Sequence, residues 1–228
     1  MIAENLQKIE EKIEKKCNLC GRKREEITLI AVSKTQPLEA IKDVYAAGIR
    51  DFGENKALDL KEKAETFGSP INWHMIGHLQ TNKVKYVINH AEYIHSVDSI
   101  KLAEEINIRA GKVGKIQKIL LEVNTSGEES KFGLNDKNDI LSIANFCKDS
   151  GSLKLCGLMT MAPFTDDESV IRDCFRNTKE LLNKLNREGF GLSELSMGMT
   201  NDFEIAIEEG ATMLRIGTAI FGERNYLI

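Results

Sequence analysis

Residues 27–48 read Ile-Thr-Leu-Ile-Ala-Val-Ser-Lys-Thr-Gln-Pro-Leu-Glu-Ala-Ile-Lys-Asp-Val-Tyr-Ala-Ala-Gly. The first six are a β-branched, apolar run, too short for a helix, and fit a strand buried on both faces. Pro37 presets the backbone angle of a first helical turn. Ile41, Val44 and Tyr45 then recur on one helical face until Gly48 ends the segment. A buried strand followed at once by a helix is half of a right-handed βαβ unit.

The same unit recurs in both directions from this stretch. Met1 to about Cys20 reads as a preceding helix, with Leu6, Ile9, Ile13 and Cys17 at helical spacing and Gly21 as its stop. Further strands are expected near Ile49–Phe52, Ile71–Met75, Tyr93–Val97, Ile116–Val123, Leu155–Met159, Glu194–Met197 and Thr212–Ile216, with helices between them. The clearest helix runs from about Asp167 to Glu188, with Val170, Ile171, Cys174, Leu181, Leu182 and Leu185 as its apolar side. Eight strands alternating with helices predict an α/β fold, a closed (β/α)8 barrel with an extra N-terminal helix; a doubly wound open sheet is the alternative. No linker rich in Pro, Gly or Ser divides the chain, so residues 1–228 are expected to form one domain.

Composition narrows the function classes. Lys and Arg number 31 against 35 Asp and Glu, a net charge of −4, so no bulk positive field would hold nucleic acid. No apolar run approaches the ~20 residues of a membrane helix, and the charged N-terminus lacks a signal-peptide core. A cytoplasmic protein with five reduced cysteines is expected. Cys17-Asn-Leu-Cys20 has the spacing of half a zinc site or of a redox motif, but no second pair follows and it ends a helix, so two ordinary thiols are expected. His74 and His78 span a strand end and the Gly77 turn rather than one helical face, so no metal site is expected there. Glu128-Glu129-Ser130-Lys131 reads as a solvated polar loop.

Parallel barrels bind their ligands at the C-terminal ends of the strands. Lys34 stands at the exit of the first strand. A lysine there can mark where the chain meets solvent, or it can be a partly desolvated amine that attacks an aldehyde. The last two strand exits bear on that choice. Leu195-Ser-Met-Gly-Met-Thr200 and Arg215-Ile-Gly-Thr-Ala-Ile-Phe-Gly222 supply glycines for close backbone approach and the hydroxyls of Thr200 and Thr218. Both exits lie where barrel enzymes often hold phosphate. Arg215 stands two residues before Gly217. Against a pyridine nitrogen, a guanidinium would donate a hydrogen bond and leave that nitrogen unprotonated.

Six ordered blocks now carry a resemblance: Ala31-Val-Ser-Lys34-Thr, Phe52-Gly-Glu-Asn55, residues 74–83, Gly157-Leu-Met159 and the two exits just quoted. They resemble the pyridoxal phosphate homeostasis proteins, from about residue 27 to 225. The resemblance implies a barrel similar to the N-terminal domain of alanine racemase and pyridoxal 5′-phosphate (PLP) held as an exchangeable Schiff base on Lys34. It implies that Arg215 faces the pyridine nitrogen and that Thr200, Gly217 and Thr218 hold the phosphate, with Ser196 a further candidate in that loop. It sets Asn55 near the ring. Two positions depart from the family: Thr200 replaces a usual serine, and Gln36 stands where some relatives carry a second lysine.

The resemblance also bears on turnover. Alanine racemases use two bases, the Schiff-base lysine and a tyrosine from a separate C-terminal domain. The present sequence ends at Ile228, and none of its four tyrosines (45, 86, 93 and 226) stands in an obvious replacement position. A monomeric PLP-holding protein that turns over little or no amino acid is therefore expected, with PLP-dependent enzymes as possible recipients. A PLP-dependent racemase or decarboxylase is the alternative. A Schiff-base aldolase acting on a phosphosugar is a third reading, though its lysine usually lies on a later strand.

Overall fold

A computed structural model describes residues 2–68, 70–125 and 133–222. The polar loop at 128–131 and Tyr226 lie outside the described residues. Eight strands form one closed parallel barrel in sequence order. They are β1 (Thr28–Val32), β2 (Asp51–Glu54), β3 (Asn72–Met75), β4 (Ala91–Val97), β5 (Gln117–Glu122), β6 (Leu153–Met159), β7 (Glu194–Ser196) and β8 (Met213–Ile216). Each expected strand lies within a few residues of its observed place, and the open-sheet alternative is excluded because β1 pairs with β8.

The helices between the strands are α2 (Leu38–Ala46), α3 (Ala57–Phe67), α4 (Val84–Val87), α5 (Ile100–Lys112), α6 (Lys137–Asp149), α7 (Glu168–Arg187) and α8 (Phe203–Glu208), and α9 (Thr218–Phe221) follows β8. The extra helix α1 (Ile2–Leu19) buries Leu6, Ile9, Ile13 and Cys17. It packs against α2, α8 and α9 and so fills the gap in the outer ring beside the first and last strands. Lys16 reaches Glu208 of α8 at 2.6 Å. Helix α7 buries Ile171, Cys174, Phe175, Thr178, Leu182 and Leu185. Val170, expected on that face, is exposed. It sits in the first turn of α7, beside the buried Ile171.

Inside the barrel a small apolar group, Ile30, Leu120, Cys156, Met159 and Met213, packs with Tyr93. The rest of that interior is polar: His74, His95, Ser196 and Arg215 are all buried. A barrel core is ordinarily hydrocarbon, so this polar column needs its own hydrogen bonds.

Removing side-chain volume from the seat of α1 tests this packing. Ile13→Ala should cost about 2–5 kcal/mol in urea unfolding. Leu19→Ala, at a position 72% exposed, should change stability by less than ~0.5 kcal/mol. Equal losses would mean that α1 is not seated on the barrel.

Candidate functional site

The turn that carries Lys34 is held from both sides. Strand β1 ends at Val32, and the Ser33 amide donates to Gly53 O of β2 at 3.0 Å. Ser33 Oγ donates to Glu54 Oε1 at 2.6 Å, and Lys63 Nζ of α3 reaches the same oxygen at 2.7 Å. Lys63 Nζ also donates to Ser33 O at 2.8 Å. Glu54 is fully buried, and Lys63 supplies its counter-charge.

Beyond Lys34, the Gln36 amide donates to Ser33 O at 3.0 Å and closes a tight turn. Thr35 sits in that turn with φ 65°, the one non-glycine residue at positive φ among the described residues. A type II turn calls for that backbone at its third position. A β-branched residue there costs about 1–2 kcal/mol, so the clamp through Ser33, Glu54 and Lys63 holds a strained turn. Lys34 points from it into a cavity of about 550 Å3 at the strand exits.

Six of the seven expected site residues line this one cavity: Lys34, Asn55, Thr200, Arg215, Gly217 and Thr218. Ser196 does not. Its hydroxyl lies inside the barrel, 2.6 Å from Arg215 Nη1 and 2.9 Å from His95 Nδ1. The reason is the register of β7: Ser196 is the last strand residue and faces inward, and the chain turns only afterwards, at Gly198. Gly198 has φ 94°, and a Cβ there would lie 2.6 Å from Ala206 Cβ. The buried Asp202 accepts a hydrogen bond from the Met199 amide and shapes the loop that presents Thr200.

Arg215 is 4% exposed. Its Nη1 donates to Ser196 O at 2.7 Å, and its Nη2 donates to Thr160 O at 2.9 Å. Burial lowers its pKa to about 10, against the pull of Asp202 and Glu122, so it stays cationic at neutral pH. Asn55 Oδ1 is buried without a hydrogen-bond partner. An unpaired acceptor at a cavity wall is a position for a ligand donor.

Several residues of this region escape the sequence reading. Glu54 and Lys63 carry no motif signal beyond the Gly-Glu-Asn block. Glu122 ends β5 inside the barrel, 4% exposed, with Oε2 unpartnered. His74 bonds Asp51 and His95, whereas His78 faces Asp98 at 3.3 Å, so the two histidines serve different partners. No cluster of three or more His, Cys, Asp or Glu that could hold a metal occurs among the described residues.

A closed parallel barrel with a lysine at the first strand exit, hydroxyls and glycines at the last two, and a buried arginine beside them defines the alanine racemase type of barrel. The family model described as alanine racemase, N-terminal domain, matches residues 2–225. A protein of Aquifex aeolicus named pyridoxal phosphate homeostasis protein is 42% identical over 225 residues, covering 98% of both chains. The crystal structure of a protein of unknown function from Bifidobacterium adolescentis superposes with a TM-score of 0.90 at 36% identity, over 96% of this chain and 94% of that one. PipY of Synechococcus elongatus, solved with PLP bound, has a TM-score of 0.84 at 34% identity, over 97% and 100% of the two chains. The chain belongs to the alanine racemase N-terminal domain family, among relatives named pyridoxal phosphate homeostasis proteins.

The buried Glu122 makes a pH prediction. Burial first, and Asp98 second, push its carboxyl from the ordinary 4.5 up to about 7, with Arg215 pulling the other way. Between those values the folded chain holds a proton that the unfolded chain has released. Stability from this group is therefore present in full below the lower value and falls as pH rises, by on the order of 3 kcal/mol in total. Glu122→Gln should flatten that fall when urea unfolding is compared at about pH 5 and about pH 8. An unchanged slope would place the titration elsewhere.

Proposed function

We propose that the chain is an intracellular PLP holder in which Lys34 bonds the cofactor reversibly. The observation that carries the reading is the convergence on one cavity of Lys34, Asn55, Thr200, Arg215, Gly217 and Thr218, contributed by the exits of β1, β2, β7 and β8. The volume of about 550 Å3 suits a small cofactor.

Each residue has a chemical task in this reading. Lys34 would hold the cofactor through its amine, as a C=N bond to the aldehyde carbon that forms with loss of water and is reversed by water. The Thr200 and Thr218 hydroxyls would donate to the phosphate, and Gly217 has no side chain to keep it away. Arg215, held by Ser196 and Thr160, would donate to the pyridine nitrogen. Asn55 Oδ1 would accept from a donor on the ring. Bound PLP supplies an electrophilic carbon and an electron-withdrawing ring, which an arginine partner leaves weaker as an electron sink than a carboxylate partner would.

Low turnover is part of the proposal. It is supported by the make-up of the cavity: among the described residues no tyrosine, histidine or cysteine lines it, and of its three carboxylates Asp166 and Glu168 lie on the exposed rim after β6, while the buried Asp202 is engaged by the Met199 amide. The proposal extends to a monomer that exchanges PLP with dependent enzymes.

Titrating the chain with PLP should raise a visible Schiff-base band that Lys34→Ala abolishes, while the variant retains weak phosphate-anchored binding in equilibrium dialysis. Thr200→Val and Thr218→Val should each weaken binding by roughly tenfold or more, the loss of a hydrogen bond to a charged group. A wild type with no band at saturating PLP would sink the proposal. Brisk Lys34-dependent exchange of amino-acid α-protons in heavy water would replace it with the racemase or decarboxylase reading.

A further inference from the structure

The polar column inside the barrel is continuous. Arg215 Nη1 lies 2.6 Å from Ser196 Oγ, which lies 2.9 Å from His95 Nδ1. His95 Nε2 lies 2.9 Å from His74 Nδ1, and His74 Nε2 lies 3.0 Å from Asp51 Oδ1. Four side-chain links thus join β8, β7, β4, β3 and β2, and the link from His95 to Ser196 joins two strands that are not neighbours in the sheet. The path runs from the cavity at the strand exits to Asp51 at the start of β2, near the opposite mouth, where the carboxylate is 25% exposed.

With Asp51 as a carboxylate and one proton on each imidazole, the proton count along this path has one solution. A guanidinium only donates and a carboxylate only accepts, so Ser196 Oγ accepts from Arg215 and His74 Nε2 donates to Asp51. Each imidazole then accepts at Nδ1, and the Ser196 hydroxyl gives its proton to His95 Nδ1. His95 is wholly buried, and burial first, with the Arg215 cation beside it, keeps its pKa well below the ordinary range, so it is neutral. With Nδ1 accepting, its proton is on Nε2 and is donated to His74 Nδ1. His74 in turn carries its proton on Nε2 and donates it to Asp51, whose Oδ1 also accepts from Asn72 Nδ2 at 3.1 Å. Tyr93 lies flat on the His74 ring at a 5.3 Å centroid distance and edge-on to His95 at 5.9 Å, and so limits how either ring can turn. Every donor in the column has one acceptor, and reversing any one link leaves two donors or two acceptors facing.

We propose that Asp51, His74, His95 and Ser196 are positioning residues: a one-way hydrogen-bond relay that fixes Arg215 in its orientation toward the cavity and anchors it at the far mouth of the barrel. The proposal rests on Arg215 facing the cofactor ring, but the relay itself is built from the barrel's own side chains. Asp51 touches neither the cavity nor Arg215, so an effect of Asp51 on cofactor retention requires the relay.

The test has two independent arms. In the first, long-range nitrogen–proton NMR of the full chain without PLP reads the two imidazoles. His74 and His95 should both carry the proton on Nε2 and accept at Nδ1. His95 with its proton on Nδ1, or either ring cationic, overturns the relay whether or not PLP binds. In the second, PLP dissociation is followed by stopped-flow absorbance. Asp51→Leu should release PLP roughly two- to tenfold faster than wild type, the loss of one hydrogen bond, while Asp51→Asn, which keeps an acceptor, should restore the wild-type rate. Ser196→Ala should accelerate release by a similar factor and free His95 to sample both tautomers. An Asp51→Leu protein that is folded by thermal melt and releases PLP at the wild-type rate overturns the positioning role. A wild type that never takes up PLP defeats the Lys34 reading, and with it the positioning role, and leaves the tautomer result standing.

Discussion

Four residue pairs between β1 and β8, from Thr28 opposite Met213 to Ala31 opposite Ile216, close the barrel. Without that seam the chain would be an open sheet whose first and last strands lie at opposite edges. With it, Ile30 stands beside Arg215, and Lys34 leaves β1 next to the turn that carries Gly217 and Thr218. Residues far apart in sequence thus come to share one cavity. Helix α1 supports the seam from outside by filling the gap between α2 and the helices that flank β8.

Two polar systems then make the site rigid, and they work at different radii. Outside the barrel wall, the Glu54 carboxylate with Ser33 and Lys63 holds a turn strained at Thr35. Inside the wall, the column from Asp51 to Ser196 holds Arg215. Buried polar groups are costly unless each is bonded, and both systems meet that condition at nearly every atom. Glu54 Oε2 is an exception. Glu122, outside both systems but buried in the same barrel, keeps its proton up to about 7 through burial and the nearby Asp98. A site that binds a small anion reversibly gains from such rigidity, because little ordering is left to be done on binding.

Much of this was legible in the amino-acid order. Buried parallel strands read as short apolar runs, and runs such as Ile27–Val32 and Leu155–Met159 stand out between helices with a 3.6-residue period. The exits of β1, β7 and β8 were legible because glycine, threonine and lysine there break those runs. The interior was harder. Which strand residue faces inward depends on the barrel's stagger, which no local pattern records. Ser196 therefore falls within the expected strand Glu194–Met197 with no sign of which way it faces, and only the resemblance offers it to the phosphate loop, though its hydroxyl is turned toward Arg215 and His95. His95 reads as one polar residue in a strand, and its partner Ser196 lies on a strand that is not its neighbour. Val170 reads as part of an apolar face because helical periodicity does not record where the covered surface ends.

The central claim is that the closed seam and its two polar clamps present Lys34, of all the chain's lysines, to PLP. Reduction of the PLP-loaded chain with borohydride, followed by protease digestion and mass spectrometry, tests this most directly, because it fixes the C=N bond wherever it has formed. The account predicts a single stoichiometric pyridoxyl adduct on the peptide that contains Lys34. An adduct spread over surface lysines, or one at a different single lysine, would contradict it.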